Sequence, residues 1–297
     1  MRSVNKLKGT GVAIVTPFNK DGSINFKCLK KLINHLINGK VDYLVPLGTT
    51  GESVTLNSDE KIAILDFVTE VVDKRIPVVV GIGGNNTREV LNQISSFDLG
   101  KVDAILSVSP YYNKPSQKGI YQHYKMIANE SPVPVILYNV PSRTGSNLTA
   151  ETTISLANDF DQIIGIKEAS GDFEQIMKIV NERPKNFLVI SGDDMITLPM
   201  IACGADGVIS VVANAYPNRF SEMTRVALNG QIEKARQYYY PLHDLIPMLF
   251  SHGSPAGIKA TLSLLDICEE HVRLPLVLIP KAHQNKIAAF IESYQEL

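Results

Sequence analysis

Short runs of β-branched and aliphatic residues alternate along this chain with longer stretches whose apolar positions recur every three to four residues. Eight short runs stand out: VAIV from Val12, YLVPL from Tyr43, VVVGI from Val78, AILSV from Ala104, VILYN from Val135, IIGIK from Ile163, FLVIS from Phe187 and GVISV from Gly207. Between them, Leu29, Leu32, Ile33, Leu36 and Ile37 form one helical face. Ile62, Leu65, Val68, Val71 and Val72 form another, after the start signal Asn57-Ser58-Asp59-Glu60. That spacing predicts helices covering one side of a core. The short runs are apolar throughout, as parallel strands covered on both faces should be.

Eight strand–helix units within roughly 230 residues fit an α/β fold of the (β/α)8 TIM-barrel type, whose usual size is about 250 residues. A doubly wound open sheet would want a Gly-rich turn after the first strand, and Val15-Thr16-Pro17-Phe18 is not one. Gly81-Ile82-Gly83-Gly84 lacks the spacing of a nucleotide fingerprint and reads as a tight barrel loop. After Asn229-Gly230 the pattern turns wholly helical from Ile232 onward. The expected division is therefore a barrel over 1–230 and a helical appendage over 231–297.

Composition narrows the function classes. The chain has 297 residues, 44% hydrophobic and 20% charged, with a formal net charge of -1. Such a balance leaves no electrostatic footprint for nucleic acid or an anionic membrane. No apolar stretch approaches the ~20 residues of a membrane span, and the first residues, Met1 to Lys8, lead into no apolar signal segment. Cys28, Cys203 and Cys268 are widely spaced and form no CxxC. They read as reduced, largely buried thiols of a cytoplasmic protein.

In a barrel of this kind, sites gather at the C-terminal ends of the strands. The second strand leads into Gly48-Thr49-Thr50-Gly51-Glu52-Ser53, and the fourth into Ser109-Pro110-Tyr111-Tyr112-Asn113. The fifth leads into Tyr138-Asn139-Val140-Pro141-Ser142-Arg143-Thr144-Gly145, the sixth into Lys167, and the seventh into Ser191-Gly192-Asp193-Asp194. Each alone has an ordinary reading. Paired threonines satisfy their own turn, a Tyr-Tyr step anchors an interface, and a strand-end lysine snorkels or pairs. The functional reading is a lysine held, partly dehydrated, for attack on carbonyl carbon. Hydroxyls, phenols, one arginine and one lysine converge on one rim. Carboxylate clusters and histidines at metal-ligand spacing are missing there, so no metal is expected.

The same segments resemble the dihydrodipicolinate synthase family of pyruvate-dependent Schiff-base lyases, a superfamily that also holds N-acetylneuraminate lyase. The resemblance runs essentially end to end. It is carried by TPF at Thr16–Phe18, GTTGES at Gly48–Ser53, SPYYNKPSQ at Ser109–Gln117, YNVPSRTG at Tyr138–Gly145, GIKEASGD at Gly165–Asp172 and SGDD at Ser191–Asp194.

The resemblance implies a lyase that condenses pyruvate with L-aspartate 4-semialdehyde through an imine on Lys167, on the diaminopimelate route to L-lysine, with no cofactor. It implies a proton relay of Tyr138, Thr49 and Tyr112, the last inserted from a neighbouring subunit of a homotetramer. Thr49 and Thr50 would hold the pyruvate carboxylate, Arg143 the semialdehyde carboxylate, and the carbonyls of Gly192 and Ile209 would orient the lysine. In lysine-inhibited members a regulatory pocket matches Ser53, Val54, Ser58, Lys61, Asn85, Glu89 and Tyr111. Two histidines of some such members are Ser58 and Lys61 here. A cation at Lys61 opposes a cationic ligand, so feedback inhibition by L-lysine is expected to be weak or absent. Two other readings stay open at this point: a sister lyase acting on a sialic acid or another sugar-derived keto acid, and a non-catalytic regulatory barrel.

Overall fold

The computed structural model describes residues 4–295. The outermost residues of the two expected regions, 1–3 and 296–297, lie outside it. The strands are β1 (Gly9–Ala13), β2 (Tyr43–Val45), β3 (Val79–Gly81), β4 (Ala104–Val108), β5 (Val135–Asn139), β6 (Ile163–Glu168), β7 (Leu188–Ser191) and β8 (Gly207–Ser210). All ladders are parallel, in the order β2-β1-β8-β7-β6-β5-β4-β3. A parallel bridge from Leu44 to Val78 closes β2 onto β3 and completes the TIM barrel.

Helices α1 (Phe26–Asn38), α2 (Ser58–Val72), α3 (Thr87–Ser96) and α4 (Gln117–Glu130) follow the first four strands. The one-turn α5 (Pro141–Thr144) and α6 (Ala150–Asp159) follow β5, and α7 (Phe173–Glu182), α8 (Thr197–Ala202) and α9 (Pro217–Leu228) follow the last three. Side chains start most of the longer helices: Asn25, Asn86, Ser116, Thr149 and Asp172 each accept a first-turn amide. Asn57 and Glu60 form a reciprocal capping box on α2. The buried stripe of α2 is Ile64, Leu65, Val68, Thr69 and Val72. Ile62 and Val71 are only half-buried, so the stripe is rotated slightly from the one expected.

Inward and outward positions separate cleanly. Tyr43, Val45, Val79, Ala104, Leu106, Ile136, Leu188, Ile190 and Ile209 form one buried cluster inside the barrel. Their sequence neighbours Leu44, Val80, Ile105, Leu137, Val189 and Val208 belong to the larger core between strands and helices. This two-residue period is hidden in the sequence because both faces are apolar. Gly11 makes room for the interior phenol: a Cβ there would lie 2.1 Å from the Tyr43 ring.

One irregularity decides the site. Val135 pairs with Ile163 but Ile136 pairs with Gly165, so β6 carries one extra residue relative to β5. Strict alternation from Ile163 would turn Lys167 outward. The bulge restores it to the interior, because one added residue exchanges the two faces of a strand.

Beyond the barrel lie α10 (Ile232–His243), α11 (Leu245–Phe250), α12 (Ala256–Leu264) and α13 (Lys281–Gln295). The expectation of continuous helix fails over residues 265–280, which run as an irregular strap between α12 and α13. No helix among the described residues is long and apolar enough to cross a membrane.

Candidate active site

Lys167 is the penultimate residue of β6, and Tyr138 is its register partner on β5. The lysine does not emerge into the loop as expected. It is buried inside the barrel mouth, 6% exposed, with Nζ 4.4 Å from the centroid of the Tyr138 ring. An ammonium over a phenol face is attracted by the ring quadrupole, and the same contact places the Tyr138 side chain beside the nitrogen. Gly192, after β7, gives the lysine its space. A Cβ at that position would lie 2.9 Å from Lys167 Cε, 3.1 Å from its Cγ and 2.7 Å from Ala169 Cβ. Ile209 is buried on the interior face of β8.

Behind this pair is a polar network that sequence reasoning missed. Asn139 and Glu168, next in chain to Tyr138 and Lys167, face outward and are fully buried. Asn139 Nδ2 donates to Glu168 Oε2 at 3.1 Å and to Asn147 Oδ1 at 2.8 Å. Gln175 of α7 donates to Glu168 Oε2 at 2.9 Å, and the Ser170 amide to Oε1 at 2.7 Å. Burial raises the Glu168 carboxyl above its ordinary range, with these donors opposing it. Buried and multiply bonded, the group ties β5, β6 and α7 together just where the Tyr138 and Lys167 side chains leave their strands.

The loop after β2 turns sharply. Leu47 and Glu52 both take positive φ, 59° and 53°. The Glu52 amide donates to Thr49 O at 3.1 Å, and Thr16 Oγ1 donates to Gly51 O at 2.7 Å. Thr50 is buried and Thr49 is exposed on the rim. Glu52 points the other way, into a charged cluster from the C-terminal region. Its carboxylate accepts from Lys259 Nζ and, at 3.0 Å, from the Arg273 amide. Lys259 is fully buried, also donates to His271 O at 2.7 Å, and lies 4.2 Å above the Phe18 ring. Burial pulls its ammonium down to about 8, with Glu52 acting the other way. The Arg273 guanidinium donates to Thr55 O at 2.9 Å and to Glu60 Oε2 at 2.9 Å. The strap and α12 thus hold the threonine loop from below. A lysine inside the apolar run AGIKATLSLL was the sequence signal for this contact.

Asp194, on the loop after β7, is buried. Its Oδ2 accepts from the Val211 and Val212 amides at 3.0 and 2.8 Å, and its Oδ1 has no partner. Burial pushes its carboxyl up to about 6.

Other expected residues stand apart from the lysine within one chain. Tyr112 is 88% exposed with φ 70°, its amide bonded to Thr144 O at 3.3 Å. Arg143, on α5, is exposed, and its guanidinium has no hydrogen-bond partner among the described residues. Of the regulatory positions, Asn85 and Tyr111 meet through Asn85 Nδ2 and Tyr111 O at 3.1 Å. Ser53 begins a 3-10 turn with Val54 exposed. Ser58 and Glu89 are exposed, and Lys61 is half-buried with its ammonium pKa lowered by burial. Among the described residues no group of three or more His, Cys, Asp or Glu is placed to hold a metal ion.

A closed parallel barrel with a lysine and a phenol buried together at the strand ends has the architecture of an imine-forming barrel lyase. The chain belongs to the dihydrodipicolinate synthetase family, whose model matches residues 6–294. A 4-hydroxy-tetrahydrodipicolinate synthase of Flavobacterium psychrophilum is 52% identical over 282 residues, 95% of this chain and 96% of its own. The crystal structure of dihydrodipicolinate synthase from Aquifex aeolicus superposes with a TM-score of 0.94 at 38% identity, covering 97% of this chain and 98% of that one. The chloride-inhibited enzyme from Acinetobacter baumannii, complexed with pyruvate, reaches 0.94 at 36% identity over 98% of this chain and 99% of its own. The family and barrel expected from the sequence motifs are thereby borne out.

Proposed function

We propose that this pocket condenses pyruvate with L-aspartate 4-semialdehyde as a 4-hydroxy-tetrahydrodipicolinate synthase, a lyase step in the diaminopimelate route to L-lysine. The observation that carries this reading is the buried Lys167 nitrogen over the Tyr138 ring, in a chain of this family. A relative of the same fold binds pyruvate.

The Lys167 amine attacks the ketone carbon of pyruvate, and loss of water leaves an imine. The protonated imine draws electrons from the neighbouring methyl, which loses a proton to give an enamine. That carbon adds to the semialdehyde's carbonyl. The product's own amine then displaces Lys167, closing a six-membered ring and freeing the enzyme. The lysine itself is the electron sink, so the chemistry requires no organic cofactor or metal.

Tyr138, beside the nitrogen, is the proton-transfer group, in relay with Thr49 and with Tyr112 of a second copy. The isolated chain supports that last role. A large aromatic side chain, mostly in solvent on a positive-φ residue, fits a partner's pocket better than water. Thr49 and Thr50 hold the pyruvate carboxylate, and the exposed guanidinium of Arg143 receives the semialdehyde carboxylate. The carbonyls of Gly192 and Ile209 orient the lysine. Completion of each site by a neighbour's Tyr112 requires at least a dimer, and we infer a cytoplasmic homotetramer of two tight dimers. The barrel over 1–230 supplies the chemistry, and the region from 231 supports its threonine loop. The test is consumption of the semialdehyde by purified protein with and without pyruvate. Pyruvate-dependent consumption is expected. Pyruvate release from a sialic acid with no condensation would replace this reading with the sister lyase.

A further inference from the structure

Cys28 and Cys268 meet in space. Cys28 lies in the first turn of α1, where its amide donates to the capping Asn25 Oδ1 at 2.9 Å, and Cys268 lies on the strap. Cys28 Sγ donates to Ile267 O at 3.3 Å, and Cys268 Sγ donates to Cys28 O at 3.8 Å. Cys268 Sγ is therefore seated on the carbonyl of Cys28 itself, and Cys28 Sγ on that of the residue before Cys268. Both thiols are free. The expectation of largely buried thiols holds for Cys268; Cys28 is only half-buried, as is Cys203.

The setting separates the two sulfurs chemically. Cys28 lines a surface cavity of about 360 Å³ with Lys27 and Lys31 of α1 and Asp266, Cys268 and Glu269 of the strap. Lys31 Nζ is fixed there by donating to Asp266 O. The neighbouring Cys268 thiol, aided by the Glu269 amide and Lys31, draws the Cys28 thiol down to about 7. The neighbouring Cys28 and burial push Cys268 up. A thiolate at the start of a 13-residue helix is further favoured by the helix dipole.

We propose that Cys28 and Cys268 form a hydroperoxide-reactive dithiol in which Cys28 is the attacking thiol and Cys268 the resolving one. The Cys28 thiolate attacks one oxygen of the hydroperoxide, the O–O bond breaks, and the departing oxygen takes a proton and leaves as an alcohol, or as water from hydrogen peroxide. Cys28 becomes a sulfenic acid, oxidised by two electrons. The Cys268 sulfur then attacks the Cys28 sulfur, the S–O bond breaks, and hydroxide leaves with the Cys268 proton as water. Two thiols and one hydroperoxide give one disulfide, one water and one alcohol. The bond joins the first barrel helix to the strap that grips Glu52 beneath Thr50.

The test is non-reducing peptide mapping of the full-length protein after stoichiometric hydrogen peroxide and capping of remaining thiols. The expected result is a Cys28–Cys268 linked peptide that dithiothreitol dissolves, with Cys203 recovered as a capped thiol. In Cys268→Ser, dimedone should label Cys28; in Cys28→Ser, it should leave Cys268 unlabelled. Recovery of both wild-type thiols in capped form, oxidation of Cys203 ahead of Cys28, or dimedone on Cys268 in Cys28→Ser would each overturn the proposal.

Discussion

Tyr138 and Lys167 are direct register partners on adjacent strands, and the lysine nitrogen sits 4.4 Å above the phenol ring. The ring is thus both a wall against water and the carrier of a hydroxyl. Tyr138→Phe keeps the wall and removes the hydroxyl. Turnover should fall by roughly 10²–10⁴, the usual worth of a positioned proton-transfer group, while the melting temperature moves little. A loss below about tenfold in steady-state kinetics would remove Tyr138 from the proton relay.

The Glu52–Lys259 pair is buried completely and spans the barrel and the C-terminal region. Lys259→Met leaves Glu52 buried with only the Arg273 amide, and breaking a buried pair on one side costs about 3–5 kcal/mol. Urea unfolding should show that loss, and Glu52→Gln combined with Lys259→Met should recover most of it. A single variant as stable as the wild type would show that the pair does not hold the loop.

Much of this was legible in the residues. The strand runs located all eight strands, and GTTGES, the two tyrosine segments and GIKEASGD marked the rim where Lys167 and Tyr138 now meet. Which way Lys167 faces was not legible, because it depends on the bulge at Ile164–Gly165, and nothing within β6 reveals its pairing with β5. Glu168 and Lys259 were hidden for a related reason. A buried charge is recognised by its partners, and Asn139 beside Glu168 and Glu52 beside Lys259 are distant in sequence and adjacent only after folding. Tyr112 is exposed within one chain, so the role proposed for it turns on a second copy.

Asp194 makes stability depend on pH. Its carboxyl ionises near 6 when folded, against an ordinary value of 3.8. Between those values the folded state holds the extra proton, so this group's contribution falls as pH rises from about 4 to about 6 and is level above that. The full penalty is on the order of 3 kcal/mol. Asp194→Asn keeps an oxygen for the Val211 and Val212 amides without the charge. Its melting temperature relative to wild type should climb across that window and then stay constant. A difference that does not vary with pH would contradict this.

Lys61 bears on regulation. It is half-buried, and burial already disfavours its charge. A second ammonium brought beside it meets like-charge repulsion at short range. L-lysine should therefore inhibit weakly or not at all, and Lys61→His should strengthen any inhibition. Half-inhibition of the wild type at sub-millimolar L-lysine would sink that expectation.

The central claim is an imine on Lys167. Intact mass and peptide mapping after sodium borohydride treatment in the presence of pyruvate test it most directly. One reduced pyruvate adduct per chain, located on Lys167 and absent when either pyruvate or borohydride is withheld, is the predicted result. An unmodified Lys167 in folded protein, under conditions that label a known pyruvate lyase, would contradict it.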